Sequence, residues 1–162
     1  MEQLTEIAAV SMQMEREDTQ QGTADSLVRL GFVLFLLGLL AGFAVPLVAN
    51  PRMGLASHMQ GLLNGMFLIA LGLVWTKLQL GGTGRRIAWI LAIYGTFANW
   101  AATLLAAIWG AGRSMPIAAG GRVGTPAQEM VVDGLLYSLS VAMVVLTAMV
   151  IWGLRRPRTP GS

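Results

Sequence analysis

Four long apolar runs, separated by short polar breaks, dominate the chain. Residues 30–51, 53–76, 87–112 and 134–154 contain no Asp, Glu, Lys or Arg and are 21 to 26 residues long. Roughly 20 helical residues cross the hydrocarbon core of a bilayer. The pattern therefore predicts an all-α, integral membrane four-helix bundle, with helices over about 27–49, 54–78, 87–109 and 126–154. Four spans in 162 residues leave no room for a water-soluble domain, so function must sit within the bundle or its loops.

Local signals refine the spans. Gly31, Gly38 and Gly42 allow close helix approach in the first, and Pro46 is expected to kink its outer end. The short Asn50-Pro51-Arg52 turn makes the first two spans antiparallel neighbours. Ser57-His58-Met59-Gln60 has the form of a capping box that would start the second span at His58; a start near Gly54 is equally allowed. Gly81-Gly82-Thr83-Gly84 reads as a turn, and residues 110–125 as a Gly/Pro-rich loop suited to a lid. Thr125-Pro126-Ala127-Gln128 places a threonine N-cap, N1 proline and N3 glutamine at the start of the fourth span. Residues 1–25 are polar, with Leu4, Ile7, Val10 and Met14 at loosely helical spacing. That segment reads either as a short amphipathic helix or as disorder.

Charge orients the spans. Residues 1–25 hold six acids and one base, whereas the remainder holds ten bases and two acids. Arg16, Arg29, Lys77, Arg85, Arg86, Arg155, Arg156 and Arg158 lie on one side of the four spans, and Arg52, Arg113 and Arg122 on the other. The positive-inside rule puts both termini, including the basic tail at 156–162, in the cytoplasm. Bases that flank spans mark topology and the lipid bilayer as partner, and no nucleic acid is expected. The absence of cysteine excludes disulfides, iron–sulfur clusters and thiolate chemistry. The acidic start lacks the form of a cleavable signal, so the first span is expected to serve as an uncleaved anchor.

Polar groups inside the spans are the functional candidates. They are His58, Gln60 and Asn64; Tyr94, Asn99 and Thr103; and Glu129, Asp133 and Tyr137. At 100° per residue, Gly61, Gly65 and Gly72 lie within about 60° of His58, a lane that would accept a flat ligand, while Asn64 sits roughly 120° around. The same geometry puts Glu129, Asp133, Ser140 and Thr147 on one stripe about 40° wide. With a rise of about 1.5 Å per residue, Asn64 lies roughly 21 Å from Leu78 and Asn99 roughly 18 Å from Ile87. Asp133 enters from the opposite side and reaches roughly 10 Å below Pro126. His58, Asn64, Asn99 and Asp133 thus converge on the outer half as one site. Structural readings stand beside these. Membrane asparagines commonly bond between helices, Glu129 can complement a helix N-terminus, and a lone histidine near a span end is more often structural than a ligand. The tryptophans read as interfacial anchors.

Few chemistries fit this inventory. No motif aims Ser57 at a base. One histidine with Glu129 and Asp133 is a thin zinc set without ligand spacing. Haem needs a single histidine, and with no second one its iron would keep an open position, which favours catalysis over electron transfer. The glycine run at 120–124 follows no strand and is not a phosphate loop.

The run Asn50-Pro51-Arg52-Met53-Gly54-Leu55-Ala56-Ser57-His58, followed by Gly61-Leu62-Leu63-Asn64-Gly65-Met66, resembles the hydroxylaminobenzene mutase family. So do Tyr94-Gly95-Thr96-Phe97-Ala98-Asn99-Trp100, Ile108-Trp109-Gly110-Ala111-Gly112 and Met115-Pro116-Ile117-Ala118-Ala119-Gly120-Gly121. The likeness covers about residues 27–155. More distantly, His58 with Asn64-Gly65, and Ala98-Asn99, resemble styrene oxide isomerase. These resemblances imply a bacterial cytoplasmic-membrane isomerase that moves a hydroxyl group on a small aromatic substrate. They also imply a homotrimer with haem b on His58 and with Asn64 and Asn99 at the substrate. The isomerase pattern has an acid and a tyrosine where this chain has Gly95 and Thr103, so Tyr94, Asp133 or Tyr137 are the expected substitutes. An epoxide isomerase and a non-catalytic membrane subunit remain the alternatives.

Overall fold

The computed structural model describes residues 1–155, so the tail at 156–162, with Arg156 and Arg158, lies outside the described residues. Within them the chain is all helix: α1 (Glu2–Ala44), α2 (Pro51–Val74), α3 (Gly82–Trp109), a short α4 (Pro116–Ala119) and α5 (Pro126–Gly153). α1, α2, α3 and α5 are each long and apolar enough to cross a membrane. Phe43, Leu73 and Val144 are among many large apolar side chains facing outward, as lipid-facing positions do.

The long helices lie in a row, α1 on α2, α2 on α3 and α3 on α5. The outer members, α1 and α5, share no extended backbone seam, although Leu27 and Leu34 of α1 and Leu146 of α5 belong to one buried apolar cluster with α2 and α3. Glycine builds the tightest contact. A Cβ on Gly61 would come within 2.3 Å of the Gly38 Cα, and one on Gly65 within 2.7 Å of the Gly31 carbonyl oxygen. Backbones this close gain dispersion along the whole seam, the main attraction between helices in lipid. Gly61→Leu should therefore destabilise the protein by about 3 kcal/mol, because backbone cannot yield as a side chain can. Thermal unfolding in detergent checks this, and an unchanged midpoint would show that the seam is not so tight.

Element boundaries differ from the sequence expectations in four places. α1 runs unbroken from Glu2, so residues 2–25 prolong the first span as helix, and at about 1.5 Å per residue its 43 residues reach about 64 Å. α1 ends at Ala44 because Pro46 enters a 3₁₀ turn, Val45–Leu47. α2 begins at Pro51 with Asn50 as N-cap, its side chain accepting from the Arg52 and Met53 backbone N–H groups. Ser57 is therefore inside the helix, not a cap, and its hydroxyl points toward the Trp100 carbonyl at 3.5 Å. α3 starts at Gly82, within the expected glycine turn. The Thr125–Gln128 capping box of α5 forms as read.

Candidate active site

Two helix faces carry the polar groups of α2. On the α1 face, His58 Nδ1 lies 2.8 Å from the Gly38 carbonyl oxygen. A carbonyl only accepts, so Nδ1 carries the proton and the Nε2 lone pair is left for another partner. This is the second-shell arrangement that orients a metal-binding imidazole. Gly42 makes room for the ring, since a Cβ there would stand 2.7 Å from His58 Nδ1. The Gly61–Gly65–Gly72 lane beside His58 is filled by α1 itself, with Gly38, Gly31, Phe35 and Val28 against it. Within one chain these glycines serve helix packing, and the lane has no space for a flat ligand.

On the α3 face, Gln60 joins the two asparagines. Its Oε1 accepts from Asn99 Nδ2 at 3.0 Å and from Asn64 Nδ2 at 3.3 Å. Asn64 and Asn99 therefore stand at one level across the α2–α3 seam, Asn64 buried at 7% exposure. Each keeps its side-chain carbonyl and a second N–H, with no partner among the described residues. Close by, Trp100 packs against Gly61, and its indole N–H is buried without a partner among the described residues. The sequence reading took Trp100 for an interfacial anchor; its mid-helix position in α3 was the signal that it is not. Gln60 was named among the polar groups but not as the bridge, because a contact between helices has no signature along one of them.

Asp133 does not join this cluster. It pairs with Arg113 at 2.5 Å and accepts from the Ser114 hydroxyl. The hydrogen bond and charge of Asp133 raise the Arg113 pKa above its already high ordinary value. One turn earlier, Glu129, 1% exposed, accepts the backbone N–H groups of Gly124 at 2.8 Å, Arg113 at 2.9 Å and Gly112 at 3.1 Å. Asn50 Nδ2 donates to the Ala119 carbonyl at 3.1 Å, and Arg122 to that of Ala49. The loop expected to act as a lid is thus strapped to α5 and to the start of α2. Tyr94 bonds Ser138 on α5 at 2.6 Å, and Tyr137 is exposed. The Glu129 stripe turns outward at Ser140 and Thr147, whose hydroxyls bond their own helix.

The two departures from the isomerase pattern have physical counterparts. A Cβ on Gly95 would meet Met143 Sδ at 2.6 Å, so α5 occupies the space an acidic side chain would need. Thr103 is buried and its hydroxyl bonds the Asn99 and Trp100 carbonyls. The amide cluster is left neutral. Among the described residues no three His, Cys, Asp or Glu side chains are grouped as a metal cage.

The family profile described as styrene oxide isomerase matches residues 23–155. The chain is 56% identical over 145 residues to hydroxylaminobenzene mutase HabB of Ectopseudomonas oleovorans, covering 89% of this chain and 88% of that protein. It is 49% identical over 127 residues to hydroxylaminobenzene mutase HabA of the same organism, covering 78% and 94%. No solved structure matches significantly.

Proposed function

We propose that this chain, which belongs to the styrene oxide isomerase family and is a mutase-type isomerase, converts hydroxylaminobenzene into 2-aminophenol. The observation that carries the reading is the neutral Gln60–Asn64–Asn99 cluster between α2 and α3, in a chain so similar to two hydroxylaminobenzene mutases. In the reaction the N–O bond breaks and a C–O bond forms at the ortho carbon. The proton lost from that carbon is balanced by one taken up at nitrogen, so the product is an isomer with no net redox change.

The chain's own groups suit this chemistry. With one N–H of each asparagine given to Gln60, the second can donate to the departing oxygen, and the carbonyl can accept from the hydroxylamine N–H. Apolar walls exclude bulk water, which would otherwise capture the cationic ring at the para carbon. Haem b would be held by His58 Nε2 outside the glycine lane that α1 fills, with the imidazole steadied by the Gly38 carbonyl. When bound, it would supply a Lewis-acidic iron able to polarise the N–O bond. A homotrimer would cover part of the outward-facing apolar surface. We place both termini on the cytoplasmic side of the bacterial inner membrane from the distribution of bases.

Detergent-purified protein given hydroxylaminobenzene should form 2-aminophenol in excess over 4-aminophenol. Asn64→Leu should lower kcat by about a hundredfold, the usual cost of removing one preorganised donor, while Tyr94→Phe, whose bond is to α5, should change it little. Formation of no 2-aminophenol would overturn the reading. The family description favours one rival, an epoxide isomerase. Faster turnover of styrene oxide than of hydroxylaminobenzene would support it, although Gly95 and Thr103 speak against it.

A further inference from the structure

Where the N-terminal extension of α1 passes the start of α3, residues of the two helices line a partly open cavity of about 580 Å³. Thr19, Thr23 and Ser26 form one wall, and Arg85, Arg86 and Trp89 the other, with Trp75 at its floor. We propose that this cavity binds the phosphate headgroup of an anionic membrane phospholipid.

Among the described residues neither Arg85 nor Arg86 has a carboxylate partner; the one ion pair there is Arg113–Asp133. Arg85 Nη2 donates to the Leu78 carbonyl at 3.1 Å, and its Nε is buried without a partner. At 100° per residue, Asp18 and Asp25 lie about 40° and 60° beyond Gly22 at the edge of the cavity face of α1, and neither lines the cavity. Asp25 accepts from Gln21, farther round the helix. Glu15, one turn farther out, is the acid nearest the cavity face, and it does not line the cavity. Two unpaired guanidinium groups at one cavity call for an anion, and phosphate matches their planar forks.

α3 begins beside the cavity with Gly81 as N-cap and no side-chain cap, so its first-turn N–H groups and positive dipole end add to the arginines. The hydroxyls of Thr19, Thr23 and Ser26 already bond carbonyls of their own helix, which leaves anion recognition to the arginines. Trp89 Nε1 donates to Ser26 Oγ at 3.2 Å and so holds the two walls together before any ligand arrives.

Wall chemistry and depth decide between a lipid and a free anion. The cavity walls are mainly apolar, and Trp75 and Trp89 stand where α2 leaves and α3 enters the apolar layer. Aromatic side chains concentrate at that depth, next to the headgroups. A free phosphate gains nothing from indole walls, whereas the glycerol and upper acyl chain of a phospholipid do. The proposal is independent of the isomerase reaction.

Native mass spectrometry of the detergent-purified full chain should show one retained anionic phospholipid per chain. Added phosphatidylglycerol should raise the melting temperature where phosphatidylcholine and inorganic phosphate do not. Arg86→Gln removes a guanidinium with no hydrogen bond to any described residue. It should weaken retention by roughly fivefold, as expected for one basic residue near an anionic headgroup. Gly22→Leu adds a side chain to a cavity-lining position where a Cβ has nothing within 4 Å. It should cut retention through volume alone, with the helical circular dichroism unchanged. Phosphate stabilising as well as phosphatidylglycerol would overturn the lipid assignment. Equal retention of phosphatidylcholine, or full retention by both variants, would overturn the site. A change in subunit number in Gly22→Leu with no lipid in the wild type would give the cavity to a second copy instead.

Discussion

His58→Ala is expected to abolish the visible absorption of the haem b proposed above and to lower kcat/KM for hydroxylaminobenzene by at least a hundredfold, about 2.7 kcal/mol of transition-state stabilisation. His58 is the one histidine of the chain, so no other imidazole can take its place. Its ring is held from behind by the Gly38 carbonyl, a backbone group that side-chain substitution elsewhere leaves in position. Gly42→Ala provides a graded companion. The new Cβ would press on Nδ1 from 2.7 Å and tilt the ring, so both absorption and activity should fall without disappearing. Free imidazole added to His58→Ala should restore part of the absorption band, which the loss of a packing element alone would not allow. Retention of both the band and the activity by His58→Ala would remove His58 from the site.

The second large effect concerns stability. Glu129→Ala should destabilise the fold by about 2–4 kcal/mol, since it leaves the N–H groups of Gly112, Arg113 and Gly124 without their carboxylate. The melting temperature should fall by roughly 5–10 °C. Hydrogen exchange at these three amides should rise more than in the centres of α2 and α3. Glu129→Gln keeps one carbonyl oxygen and should lie between the two. Equal stability of Glu129→Ala and the wild type would mean that the loop is held by Asn50 and Arg122 instead. Asp133→Asn should cost less, because Arg113 is largely exposed and water can replace its partner.

These two residues mark what can and cannot be read along a chain. His58 stands out by composition, and the asparagine depths follow from helical rise, which is a property of a single helix. Glu129 was left between a helix-terminal charge and a functional acid. Its actual partners are N–H groups of a loop that approaches from residues 112–124, and nothing in the spacing around Glu129 announces them. Asp133 was assigned to the same site as His58 from depth alone. Depth ignores azimuth, and on α5 that side chain faces Arg113 and Ser114.

The glycines of α2 show the same limit more sharply. A lane of small residues beside a histidine is equally a groove for a ligand and a groove for a helix. The choice depends on what α1 presents there, and α1 presents Gly31 and Gly38, whose lack of side chains lets its backbone fill the lane. Hydrophobic run length was enough to determine four helices long and apolar enough to cross a membrane, because the length rule acts on each segment separately. The order of helices in the row, the Gln60 bridge between Asn64 and Asn99, the strapped loop and the arginine-lined cavity were decided only by tertiary structure. Each of them depends on which faces of separate helices meet, and helical periodicity fixes a face only relative to its own axis.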